Sequence, residues 1–139
     1  MKLLGIDYGR RRIGLAITDE LGLCVQGLAT IDRQKRADVI DSLRKVIASS
    51  HPDKLVFGIP LDVNDCETVM SQEVRSFAAQ VQQASNLPCE FVDESLSSQR
   101  ADSILRHRSK KQRRDKANRD RIAACLILET YLQEHSAGS

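Results

Sequence analysis

The sequence predicts an α/β fold: a five-stranded mixed sheet, three antiparallel strands followed by βαβ units, with helices on both faces. Three observations carry this reading. Residues 2–8, 12–19 and 24–31 are apolar, β-type runs joined by short Gly-containing turns, as in consecutive antiparallel strands. From residue 34 the apolar period changes to that of a helix. Two further short strand-like runs, 54–59 and 89–94, then alternate with helical segments. Such alternation implies parallel pairs with right-handed crossovers. At 139 residues the chain reads as one domain, 1–139.

Each element has its own signal. In 34–50, Ala37, Val39, Ile40, Leu43, Val46 and Ile47 form one stripe, with Asp32 near the start and His51-Pro52 at the end. Residues 54–59, Lys-Leu-Val-Phe-Gly-Ile, make a short buried strand that stops at Pro60. A polar loop from Leu61 to Thr68 leads into a second helix over 69–84, whose inner face is Met70, Val74, Phe77 and Val81. Cys89 to Glu94 make the fifth strand. Ser97 or Ser98 is placed to cap a third helix running to about residue 107. A basic loop follows, and the last helix is expected over 119–134. Strand one is central in this order.

With 29% charged residues and no apolar run near the ~18 residues of a membrane span, no membrane association is expected. The chain enters a strand at once, so no export signal is expected and the location is read as cytoplasmic. Cys24, Cys66, Cys89 and Cys125 have the spacing of neither a zinc nor a redox motif, and are read as reduced, mostly buried small apolar residues. The net charge of +2 hides an asymmetry. Arg100–Arg121 holds ten Lys/Arg against three Asp, while the rest has eleven Lys/Arg against sixteen Asp/Glu. The dense part, with Arg106, Arg108, Lys110, Lys111, Arg113, Arg114 and Lys116, contains no apolar residue. It is either a solvated face or a phosphate-binding element.

Three acidic positions stand where apolar residues belong. Asp7 lies in the first apolar strand, and burying it unpaired would cost several kcal/mol. Its partner is a metal ion, an arginine, or the backbone N–H groups of Tyr8, Gly9 or Arg10. Asp93 and Glu94 end the fifth strand, and ligands of open α/β sheets sit beyond the carboxyl ends of strands. Asp120 shares a helical stripe with Ala124, Ile127 and Tyr131. It is either a carboxylate near a helix start or a metal ligand. Carboxylates arriving from three elements would need a cation, and all-oxygen ligation points to Mg²⁺ or Mn²⁺. Gly9 and Gly14 would let a phosphate approach the backbone, and Arg10, Arg11 and Arg12 are candidates to steady a nucleic-acid strand.

These residues, taken together, resemble the pre-16S ribosomal RNA nuclease family, whose members are also described as Holliday-junction-resolvase-like. Asp7-Tyr8-Gly9 with Arg12-Ile13-Gly14-Leu15-Ala16 is similar to a first motif, and Gly58-Ile59-Pro60-Leu61 to a second. Asp93-Glu94-Ser95-Leu96-Ser97-Ser98 resembles a third. Asp120 with Ala123-Ala124 and Ile127-Leu128-Glu129-Thr130-Tyr131-Leu132 resembles a fourth. The resemblance spans nearly the whole chain. It implies a ribonuclease-H-like fold and a metal-dependent nuclease site of Asp7, Glu94 and Asp120; with such a site, Gly9, Arg10, Arg11, Arg12, Lys110, Lys111, Arg113 and Arg114 are the residues read from charge and position as facing nucleic acid. It also implies processing of the 5′ end of pre-16S ribosomal RNA during ribosome biogenesis. Junction DNA cleavage, and a nucleic-acid-binding module with a weak site, are the alternatives. The chain departs from the family where Arg usually follows the Glu (Ser95), where the loop usually has Gly (Asp65 or Cys66), and where Lys usually precedes the last Asp (Asn118). Only 4% of residues are aromatic and the helix stripes are narrow, so a monomer or weak dimer is expected.

Overall fold

The computed structural model describes residues 1–35, 38–94 and 116–136. The strands are β1 (Leu3–Asp7), β2 (Arg12–Thr18), β3 (Val25–Asp32), β4 (Lys54–Ile59) and β5 (Cys89–Asp93). The helices are α1 (Val39–Ser50), α2 (Val69–Ser85) and α3 (Lys116–Ser136). The sheet order is β3-β2-β1-β4-β5, so β1 is central as expected. β1 pairs antiparallel with β2 and parallel with β4, and β5 pairs parallel with β4.

The two sheet faces follow from strand alternation. Leu4 and Ile6 of β1, with Ile13, Leu15, Leu55 and Phe57, point to the face covered by α1 and α2. Leu43 of α1 and Val74, Phe77 and Val81 of α2 complete that core. Leu3, Ala16, Val56 and Val92 point the other way, against Ala124, Ile127, Leu128 and Tyr131 of α3. Asp7 falls in the same alternating set as Leu3, and so does Glu94 with Val92.

The predicted start of α1 is corrected. The helix begins at Val39, capped by the Asp38 carboxylate, which accepts the Asp41 N–H at 3.0 Å. Asp32 instead closes a turn after β3, accepting the Gln34 N–H at 3.0 Å. An Asx turn and an N-cap satisfy backbone donors equally well, so sequence spacing alone does not separate them. His51 ends α1 in the left-handed region, φ 53°. α2 opens with a capping box in which Thr68 and Ser71 exchange bonds of 3.0 and 2.7 Å. α3 starts at Lys116, three residues before the expected 119, which puts Asp120 in its second turn. Cysteine burial is also corrected. Cys24 and Cys66 lie exposed in connections, where chain runs over the surface. Cys89 and Cys125 are half-buried, and burial pushes the Cys89 thiol up to about 11. The predicted helix from Ser97 or Ser98, Ser95, and the basic segment with Lys110, Lys111, Arg113 and Arg114 lie outside the described residues.

Candidate active site

Asp7 ends the central strand, between Gly14 of β2 and β4. Asp7 and Gly14 are cross-strand partners. On the β4 side the register Ile6↔Phe57, continued by one residue, brings Gly58 beside Asp7. β5 lies one strand further, and the Glu94 N–H extends the ladder by donating to the Ile59 carbonyl at 3.0 Å. Neighbouring strands are ~4.8 Å apart, so carboxylates on β1 and beyond β5 would normally be held apart by the side chain between them. Here the intervening residue is Gly58. A Cβ on Gly58 would sit 2.9 Å from Glu94 Oε2 and 2.5 Å from Ile127 Cδ1. Its absence lets Glu94 reach across β4 and form a side-chain hydrogen bond with Asp7.

Glu94 is partly buried. Desolvation is the main cause that raises its pKa, and the negative Asp93 next to it adds to the rise, while the hydrogen bond with Asp7 works in the opposite sense. Two carboxyl groups in such contact share a proton unless a cation stands between them. The pair offers oxygen donors only, which suits a hard divalent cation.

Asp120 arrives from above. A Cβ on Gly14 would lie 2.2 Å from the Asp120 carbonyl oxygen and 3.2 Å from Asp120 Cβ. Gly14 therefore makes room for the backbone of α3, not for a phosphate. The β2–β3 register also shifts between Ile13 and Leu15. Such irregularities recur beside active sites, where they re-aim neighbouring residues. On β3, the Arg121 side chain lies over Gly27 and its Nε donates to the Leu28 carbonyl at 3.2 Å, anchoring the helix one residue past Asp120. Among the described residues, no group of three or more His, Cys, Asp or Glu side chains converges to hold a metal ion. The structure thus joins Asp7 to Glu94 and seats Asp120 over Gly14, one strand away.

The β1–β2 turn borders this point. A Cβ on Gly9 would fall 2.4 Å from the Arg12 carbonyl oxygen, so the tight turn itself requires glycine there. Arg10 is exposed and pairs with Glu73 of α2 at 3.2 Å. Arg11 is exposed, and Arg12 opens β2 opposite Asp32. Sequence reasoning missed Arg33. Its N–H donates to the Arg11 carbonyl at 2.8 Å, its Nη1 donates to the Gly9 carbonyl at 2.9 Å, and its guanidinium lies 5.1 Å from the Tyr8 ring centre. No motif marks Arg33. Only the return of β3 to the same sheet end brings it to the turn.

The family model for RuvX, described as Holliday junction resolvase, matches residues 1–134. A protein of Syntrophus aciditrophicus is 35% identical over 132 residues, covering 95% of this chain and 88% of its own. One of Thermosynechococcus vestitus is 36% identical over 136 residues, covering 98% and 90%. Both carry the provisional name pre-16S rRNA nuclease. Among solved structures, the T. thermophilus RuvC complex with a Holliday junction substrate superposes with a TM-score of 0.60 at 13% identity, covering 97% of this chain and 96% of that one. The Fowlpox virus resolvase bound to Holliday junction DNA gives 0.62 at 12% identity, covering 97% and 99%. These likenesses bear on the fold, a ribonuclease-H-like sheet. The extent of the family match and the identity of the relatives decide the rest: the chain belongs to the RuvX family.

Proposed function

We propose that this protein is a metal-dependent nuclease that hydrolyses phosphodiester bonds in the single-stranded flank at the 5′ end of precursor 16S ribosomal RNA, in the cytoplasm. The observation that carries the reading is the Asp7–Glu94 carboxyl pair, joined across Gly58 at the carboxyl ends of the central strands. Two carboxyl groups this close share a proton unless a cation comes between them, so the pair is a ready seat for one. The names of the full-length relatives support the substrate.

Asp7 and Glu94 would hold Mg²⁺ or Mn²⁺, with Asp120 completing the ligand set. Bound there, the ion would activate water and offset charge building on the phosphate. The chain's own part is placement. Asp7 is fixed by two strand neighbours. Glu94 is partly buried beside Gly58 and Ile127, which strengthens charge interactions at the pair. Arg10, whose partner Glu73 is partly exposed, is free to exchange that surface pair for a phosphate. Arg11, Arg12, and Lys110, Lys111, Arg113 and Arg114 of the basic segment supply further positive charge along the strand's path.

Cleavage of structured RNA, single-stranded RNA and four-way DNA junctions, with and without Mg²⁺ or Mn²⁺, tests the reading. Metal-dependent cutting of RNA that Asp7→Asn removes is the expected result. Metal-independent cutting, or wild-type rates in Asp7→Asn, would overturn it. A second reading, junction cleavage, draws support from the family description. It requires a two-fold dimer with paired sites, whereas the RNA reading is met by a monomer or weak dimer. A concentration-independent dimer with faster paired nicking of junctions would favour it. Binding without any cleavage would leave only a nucleic-acid-binding module.

A further inference from the structure

We propose that a groove of about 560 Å³ on the α1/α2 face, beside the β1–β2 turn, receives an unpaired nucleobase of the substrate strand next to the phosphate being cut. This inference rests on the nuclease reading above. Tyr8 follows Asp7 directly but points to the opposite sheet face, where its ring meets Phe77 at 4.9 Å between centres. Arg33 spreads its guanidinium near that ring, held by its bond to the Gly9 carbonyl. The groove thus has an aromatic and guanidinium surface of the kind on which single-stranded bases stack.

The wall is built for hydrogen bonding. Gln72, Ser76 and Gln80 of α2 line the groove at four-residue spacing, so they form one row on the helix. All three are exposed, and among the described residues none of their side chains has a bond inside the protein. Two amides and a hydroxyl offer both donors and acceptors to a base edge. The rim carries the carboxylates of Asp38 and Glu73. Glu73 is held by Arg10 through Oε2 at 3.2 Å and Asp38 accepts the Asp41 N–H through Oδ1 at 3.0 Å, which leaves each a second oxygen to accept from an exocyclic amino group of a base. A strand crossing the end of β1 would leave its phosphate at Asp7 on one side and turn a base toward Tyr8 on the other. A fully paired duplex has no base to give.

The test measures binding of a single-stranded eight-nucleotide RNA in EDTA, so that cutting is switched off, with one abasic ribose walked through every position. For the wild-type protein, one position should lose roughly tenfold in affinity and the others little. Ser76→Trp fills the groove, and Gln72→Ala with Gln80→Ala removes the edge partners. Both variants change exposed helix positions, and their folding is checked by thermal melting. Each should abolish the position dependence, and Ser76→Trp should leave four-way DNA junction binding unchanged. A flat walk in the wild type, a sensitive position that persists in both variants, or an equal loss of junction binding would overturn the proposal. The two readings fail separately. A position-sensitive walk without any cleavage sinks the nuclease, whereas normal cleavage with a flat walk sinks the groove.

Discussion

The two faces of the central sheet solve different problems with the same strands. The face under α1 and α2 is a plain core: Leu4, Ile6, Ile13, Leu15, Leu55 and Phe57 are fully buried and meet Leu43, Val74 and Val81. The face under α3 mixes apolar contacts with Gly5, Gly14, Gly27 and Gly58, each within 3 Å of an α3 atom were a Cβ added. α3 therefore sits unusually close to its strands. That approach seats the Asp120 backbone over Gly14, the cross-strand partner of Asp7. One face supplies stability, and the other gives up side-chain volume to place charged groups. Substitutions on the two faces should separate these roles.

The largest contrast is between Asp7→Asn and Leu43→Ala. Asp7→Asn keeps shape and removes one of two adjoining acidic groups. Cleavage should fall by about two to three orders of magnitude, with a melting temperature unchanged or raised. Leu43→Ala should do the reverse. It should cost about 2–5 kcal/mol in denaturant unfolding, while the folded fraction keeps its cleavage rate. If both variants lose activity in proportion to stability, the division between faces is wrong.

Gly14→Ala sharpens the comparison within the α3 face. Its methyl would meet the Asp120 carbonyl at 2.2 Å, so α3 must shift. A loss of about 1–3 kcal/mol is expected, with a fall in cleavage larger than the lost stability explains. A variant that cuts at the wild-type rate would show that Asp120 does not need its present seat.

A smaller effect lies at the far end of α3. There Lys54 Nζ is 3.2 Å from the Tyr131 hydroxyl and 3.5 Å from Glu90 Oε2. His135 Nε2 stands 3.8 Å from the same oxygen. The bond with Tyr131, then the charge of Lys54, hold the Glu90 carboxyl below its ordinary range, against desolvation. The bond with Tyr131 also raises the Lys54 ammonium, helped by Glu90. A depressed carboxylate stabilises above its unfolded value near 4.3 and loses that contribution as pH falls through its lower folded value. A raised lysine contributes fully below about 10.4 and loses it as pH climbs through its higher folded value. The cluster's contribution should thus be level between about pH 5 and 10 and shrink on both sides. Because Glu90 is 40% exposed, Glu90→Gln should cost under about 1 kcal/mol at pH 7. Melting curves that keep the same acid limb in Glu90→Gln would remove Glu90 from the account.

The smallest expected change is a gain. Asp65 stands at φ 58° in the loop before α2, where the Asp62 carboxylate accepts the N–H groups of Asn64 and Cys66. Glycine occupies this backbone region without strain. Asp65→Gly should raise stability by about 0.5 kcal/mol in thermal melts. A loss would mean that the Asp65 side chain is needed where it stands.

Much of this molecule was readable from residue order. Alternating and helical periods marked the five strands, α1, α2 and α3, because burial on one face leaves a period of two or 3.6 in any sequence. β1 could be placed in the centre, because short connections pair β1 with β2 and crossovers set β4 on its other side. Asp7 and Glu94 were conspicuous as carboxylates at apolar strands, and Asp120 by sharing a helical stripe with Ala124, Ile127 and Tyr131. What the order of residues could not decide is contact between elements. The meeting of Asp7 and Glu94 depends on Gly58, on a strand between them, lacking a side chain. The role of Gly14 depends on a helix more than a hundred residues later. Arg33 and the Gln72–Ser76–Gln80 row carry no local signal, since a polar residue on an exposed turn or helix face looks the same whether or not a groove lies beneath it. Periodicity records which side of an element is buried. Which atoms meet there is set only when separate elements pack, and the site is made of those meetings.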